Sequence, residues 1–169
     1  AIRSQHPTFP WKTQGDSEVI LALQHASKAK SPKPLTARQH AEWISQLNGM
    51  YAFALWDADS QHLVLARDPL GIKPLVRTSI DGSLLFASES KAFTAHEAHV
   101  PELDQEALVA RLAWEYPLDG TTLLKGVTQI RPGTVEVWSL DSDGAAQRID
   151  VATIEKQRVN PSISWSPES

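Results

Sequence analysis

The stretch TQGDSEVILALQHA, Thr13 to Ala26, sets an acid, Asp16, just ahead of Val19, Ile20, Leu23 and Ala26, which recur at helical spacing. Two uses of that carboxylate are open. It can be an N-cap accepting from the backbone of Val19, or a ligand-binding carboxylate beside a helix terminus. Arg67-Asp68 and Gly71 fall in a turn where Pro69 fixes one dihedral and Gly71 admits a positive one. The expectation there is turn architecture with an internal Arg-carboxylate pair. Glu89 and Lys91 follow the apolar run LLFA and read as a solvated strand end. Ser88-x-x-Lys91 has the spacing of serine acyl-enzymes, but it follows a strand and its companion S-D-N and K-T-G motifs are missing. His96, Glu97 and His99 lack a third ligand at metal-site spacing, so a solvated loop is expected and no metal is assigned. With no cysteine in the chain, disulfides, thiolate metal sites and cysteine nucleophiles within it are excluded.

These residues need a core to position them. The 169 residues are 41% hydrophobic, enough for one core and one domain. The net charge of -4 is dispersed rather than gathered in blocks, which argues against nucleic acid or anionic lipid as partner. No run approaches the roughly 18 apolar residues that span a bilayer, and a signal-peptide pattern is absent from the start, so a cytoplasmic location is expected. Six Trp are scattered as core or interface anchors.

The spacing predicts an extended lead-in over 1–11, a helix from Asp16 to Ala26 and the linker SKAKSPKP. Thr36 with Gln39 forms a capping-box signature for a second helix through Leu47, which Asn48-Gly49 can end. MYAFALW, Met50 to Trp56, is apolar at both alternating sets of positions, as for a strand covered on two sides. HLVLA, Leu75 to Thr78 and LLFA are further strands, and Asp81-Gly82 is a strong hairpin signal. Asp104 reads as the N-cap of a helix that Pro117 ends, with Leu103 and Leu108 as a hydrophobic staple. A last strand, Thr134 to Leu140, precedes a polar surface tail or linker over 141–169. The class is α+β, with helices before and after a largely antiparallel sheet.

In order along the chain, LNGMYAFALWD, LARDPLGIKPL and LLFASESKA resemble the glutamine-amidotransferase domain of asparagine synthetases. GDSEVILAL upstream, and the LD-x-x-AL helix and GVTQIRPGTVEVW downstream, extend the likeness over roughly residues 12–140. The resemblance implies an N-terminal-nucleophile-type αββα layered sandwich, incomplete at the N-terminus, with 12–140 as the C-terminal portion of a glutaminase-type domain. It implies that Asp16 holds the α-amino group of bound glutamine, and that Glu89 and Lys91 lie toward the ammonia-using half. It implies an N-terminal cysteine that releases ammonia from glutamine, and a second half that uses ATP and magnesium.

Glutamine hydrolysis by that route needs a thiol whose own α-amino group serves as base, plus oxyanion donors. The family's cysteine, arginine-bearing and Asn-Gly-Glu segments would all lie upstream of Ala1, so no catalytic residue is assigned within the chain. The chain alone is expected to be inactive and to need a complementing N-terminal segment or chain, as well as the synthetase half. Its expected role is a portion of the glutamine-hydrolysing domain of an asparagine-synthetase-like, ATP-dependent amidotransferase. The alternative is a non-catalytic relic scaffold on a β-lactam-synthetase-like enzyme that no longer uses glutamine. Neither a phosphate-cradling Gly-rich loop nor any cofactor is expected in the chain itself.

Overall fold

A computed structural model describes residues 2–116 and 120–155. Helix α1, Ile2–Gln5, opens the chain, followed by α2, Ser17–Lys28, and α3, Ala37–Ile44. Strands β1, Ala52–Asp57, and β2, His62–Arg67, lead to the hairpin of β3, Val76–Ile80, and β4, Ser83–Ala87. A 3-10 turn over Ser90–Ala95 and helix α4, Gln105–Trp114, come next, then β5, Thr128–Gln129, β6, Thr134–Leu140, and β7, Ala146–Thr153. Among the described residues no helix is long and apolar enough to cross a membrane.

Local chemistry explains most boundaries. Thr36 accepts from Gln39 N while the Gln39 side chain accepts from Thr36 N at 2.9 Å, so the capping box of α3 is formed. At the tip of the β3–β4 hairpin, Asp81 and Gly82 both take positive φ, the conformation this two-residue turn requires. Asp104 caps α4 by accepting from Ala107 N at 2.9 Å. The helix stops before Pro117 because Glu115 turns left-handed at φ 64°, and Pro117 itself lies outside the described residues.

Two antiparallel sheets form, in the orders β1-β2-β6-β7 and β4-β3-β5. Leu65 of β2 and Trp138 of β6 pack with Leu75 and Ile130 to fill the space between them. On the far side of the first sheet, Val64, Ala66 and Val135 meet Leu23 of α2 and Trp43 and Ile44 of α3. On the far side of the second, Val76 and Val127 meet Phe93. The layers thus run helices, sheet, sheet and a helical turn, the layered α+β arrangement expected. An ionic cluster also crosses between the sheets: Arg77 of β3 reaches Glu136 of β6 at 2.8 and 3.1 Å.

Three expectations are corrected. The lead-in is not simply extended, because α1 forms and Arg3 ties it down by donating to Gly15 O at 2.9 Å and lying over the Trp11 ring. The stretch MYAFALW is not covered on two sides, since β1 is an edge strand with Trp56 52% and Met50 62% exposed. The strands buried on both faces are the central β2 and β6; in β2, Val64 and Ala66 face the helices while Leu65 faces the second sheet. Finally, where a tail was expected from 141, β7 pairs with β6. Ile149 bulges out of that pairing, which breaks the alternation that would have marked a strand. The remainder of the expected tail, 156–169, lies outside the described residues.

Candidate functional site

A cavity of about 730 Å³ opens where the start of α2, the loop before β1 and the loop before β3 converge. Asp16, Asn48, Gly49, Tyr51, Lys73 and Ser88 line it, with Arg3 at its margin.

Asp16 stands at the N-cap of α2 with helical dihedrals, φ -67° and ψ -29°, and its side chain makes no cap hydrogen bond. A capping side chain needs an extended N-cap backbone to reach the N2 or N3 amide, and this residue lacks it. Val19 N does bond to Asp16 at 3.0 Å, but to the backbone carbonyl rather than to the carboxylate. The capping reading is therefore corrected, and the carboxylate is left in the cavity wall. Sequence reasoning missed Glu18, which takes the local structural role. Its carboxylate accepts from Lys12 N at 2.6 Å and from Thr13 N and Oγ1 at 2.8 Å, fastening the loop ahead of α2 to its first turn. The Lys12 amide is the main reason its carboxyl sits below the usual range. Two acids in one turn were the available signal, but which of them faces inward depends on a dihedral.

The turn after β2 forms the opposite wall, and its Arg67 and Asp68 do not make the expected pair. Adjacent residues leaving a strand point to opposite sides, and each group is satisfied by backbone instead. Arg67 donates to the carbonyls of Lys73, Gly71 and Ile130 at 2.7–2.8 Å and to Gln129 Oε1 at 3.2 Å. Asp68 Oδ1 accepts from Leu70 N and Ile72 N, and Oδ2 from Lys73 N at 3.0 Å. Burial works to raise the Asp68 pKa, yet the amides, led by that of Lys73, hold it below the ordinary carboxylate range. Lys73 is thus gripped at its N–H by Asp68 and at its carbonyl by Arg67, which fixes the Lys73-Pro74 segment in the cavity wall. Gly71 has φ +64°, and a Cβ there would lie 2.7 Å from Pro132 Cγ.

Behind that wall the Tyr51 hydroxyl is buried without a hydrogen-bond partner. Burial, and then the nearby Asp68 charge, push its phenol up to about 12. Glu89 and Lys91 form an exposed ion pair at 2.6 Å beyond the end of β4. Lys91 thereby engages Glu89, and Ser88 remains in the cavity wall. Within the loop of His96, Glu97 and His99 the His96 ring accepts from Ala98 N at 3.3 Å, and among the described residues no group of three or more metal-capable side chains occurs.

The cavity therefore offers one uncommitted carboxylate suited to an ammonium group, two flanking cations and small hydroxyls, with no histidine or thiol among its lining residues. That is binding chemistry rather than a complete catalytic set.

Comparison with known proteins places the chain in a family. Over 126 residues the chain is 32% identical to asparagine synthetase [glutamine-hydrolyzing] 1 of Bacillus subtilis, which covers 75% of this chain and 18% of that protein. It is 42% identical over 128 residues to amidase chry2 of Gibberella zeae, covering 74% of this chain and 16% of the relative. A putative asparagine synthetase [glutamine-hydrolyzing] of Mycobacterium tuberculosis is 35% identical over 135 residues, 78% of this chain and 19% of the relative. The chain thus spans about a fifth or less of the curated relatives it matches. Among solved structures, glutamine phosphoribosylpyrophosphate amidotransferase from B. subtilis has a TM-score of 0.50 at 22% identity, covering 87% of this chain and 26% of that one, a likeness of fold. Residues 2–148 match the family described as glutamine amidotransferase domain, and the chain belongs to that family.

Proposed function

We propose that this chain is the glutamine-holding wall and sheet core of a glutamine-hydrolysing domain in an asparagine-synthetase-like amidotransferase. The observation that carries the reading is the Asp16 carboxylate, relieved of capping and set in the cavity wall of a chain in this family. In this reading Asp16 receives the α-amino group of glutamine, an ionic contact that orients the amide for attack. Ordinary helix-capping would have been served by Ser, Thr or Asn as well, so an acid that does not cap is better explained by a cationic ligand.

The nucleophile comes from elsewhere. A complementing N-terminal segment or chain, beginning with cysteine, adds to the unpaired side of β1, where Met50 and Trp56 are exposed and no described strand pairs. Its thiolate attacks the amide carbon and ammonia leaves, and hydrolysis of the thioester releases glutamate. A synthetase half uses ATP and magnesium to make an acyl-adenylate such as β-aspartyl-AMP, which ammonia then amidates. No residue of this chain is assigned to ATP or magnesium. The reading places the protein in the cytoplasm, where a catalytic thiol stays reduced, and gives Glu89 and Lys91 to the border with the synthetase half.

The test is release of glutamate and ammonia from glutamine by the gene's full product, wild type and Asp16→Asn. Loss of the ionic contact should raise the KM for glutamine by about 10- to 100-fold, as expected for a charge-assisted contact of about 1.5–3 kcal/mol. An unchanged KM removes Asp16 from the site. A wild type that neither binds nor hydrolyses glutamine overturns the reading and favours a non-catalytic scaffold.

A further inference from the structure

Helix α4 buries a single residue, Ala107. Around and beyond it Val100, Leu103, Val109, Leu112, Trp114 and Tyr116 are each more than half exposed, Leu112 by 75%. A helix apolar around most of its circumference is normally enclosed, and an apolar surface with two exposed aromatics marks an interaction site. The segment leading into the helix is tied to the 122–125 loop, where Asp104 N bonds Leu123 O and Lys125 N bonds Glu102 O at 2.8–3.0 Å.

We infer that the outward surface of α4 is the seat of the ATP-using half of the same protein, an inference that rests on the function proposed above. Length identifies the occupant: the curated relatives that share this domain carry roughly four-fifths of their chain outside it. Surface anatomy agrees. Gln105 and Glu106, both exposed, line one groove with Val109 and Trp114, so polar residues border the apolar patch as they do at domain contacts. The complementing segment does not compete for this surface, because the free edge of β1 belongs to the first sheet and α4 sits beside the second.

Hydrogen exchange of the α4 amides in the gene's full product, wild type against Val109→Asp with Leu112→Asp, tests this directly. Docking predicts exchange at least 10-fold slower in wild type than in the double variant. The same double variant should lower glutamine-dependent product at least 5-fold relative to ammonia-dependent product, with glutamine hydrolysis held within 2-fold. Both side chains are exposed, so the changes leave the domain's own core intact. Ala113→Ser, on the same surface, should alter neither readout. Equal exchange in the two proteins overturns the inference, and so does protection that rises with protein concentration, which would make a second copy the occupant. If wild type fails to hydrolyse glutamine, the proposed function falls while the exchange comparison still decides the docking.

Discussion

Glu136 offers the sharpest test of how the two sheets are held together. It lies in the middle of β6 at 3% exposure, where an apolar residue would be ordinary, and it gathers four donated hydrogen bonds. Arg77 supplies two across the sheet interface, Arg148 one at 2.7 Å from β7, and the Trp138 indole one at 3.0 Å. Glu136→Ala leaves Arg77 and the indole without their acceptor. Breaking a buried pair by removing one partner costs about 3–5 kcal/mol. The lower end applies here, because the Arg148 side chain is 42% exposed and can rehydrate, whereas that of Arg77 is 21% exposed. At a urea m-value of about 2 kcal/mol/M, a loss of about 3 kcal/mol moves the unfolding midpoint down by about 1.5 M. Urea titration followed by tryptophan fluorescence and circular dichroism reads that shift. Two further variants make the reasoning refutable. Arg148→Met should cost less than about 1 kcal/mol, because Arg148 is 42% exposed and Arg77 still pairs with Glu136. Glu136→Met combined with Arg77→Met should come back to within about 1 kcal/mol of wild type, since desolvation of both charges is removed together. A Glu136→Ala loss below about 1 kcal/mol, or an Arg148→Met loss equal to it, would show that the cluster is solvated and not a link between sheets.

Gly71→Ala should destabilise by about 2–3 kcal/mol, combining a left-handed non-glycine residue with a forced contact on Pro132; a loss under about 1 kcal/mol in the same urea assay would mean the turn relaxes freely. His40 is buried on α3, accepts from Trp43 Nε1 at 3.1 Å, and is lowered from 6.5 to about 4, chiefly by burial. Its folded pKa lies below its unfolded one, so it costs no stability above about pH 6.5, lowers stability as pH drops from there toward 4, and the loss reaches about 3 kcal/mol once the folded histidine is charged. An imidazole that titrates at 6 or above by NMR would contradict this.

The elements that could be read from the chain are those whose cause is local. The Thr36–Gln39 box, the Asp81-Gly82 turn and the Asp104 cap each satisfy backbone groups within three residues of themselves, so residue type and spacing suffice to announce them. The misread stretches depend on partners distant in sequence. MYAFALW is apolar enough to be enclosed, yet its neighbours in space leave it at an edge, and composition cannot distinguish an enclosed strand from one whose apolar side is exposed. In β7 the bulge at Ile149 is a property of the pairing with Val137 and Trp138, so the chain's own alternation goes out of phase and reads as tail.

The same distinction governs the cavity. Asp16 and Glu18 both carry carboxylates and lie two residues apart, and the ψ angle of Asp16 decides their division of labour by denying its carboxylate the amides of α2. Glu18, one step into the helix, can fold back to Lys12 and Thr13 and secures the loop without help from Asp16. Arg67 and Asp68 show the complementary case. Side by side in sequence they suggest a pair, but alternation at a strand end sends them apart, and both converge on Lys73 through its two backbone polar groups. A charge placed next to an opposite charge, or at a helix start, thus has an obvious local use that the backbone geometry can withdraw. Once withdrawn, a carboxylate beside open space is free to take a partner from outside the chain, whereas one ringed by amides is not; on that difference rest the role proposed for Asp16 and the architectural one of Asp68.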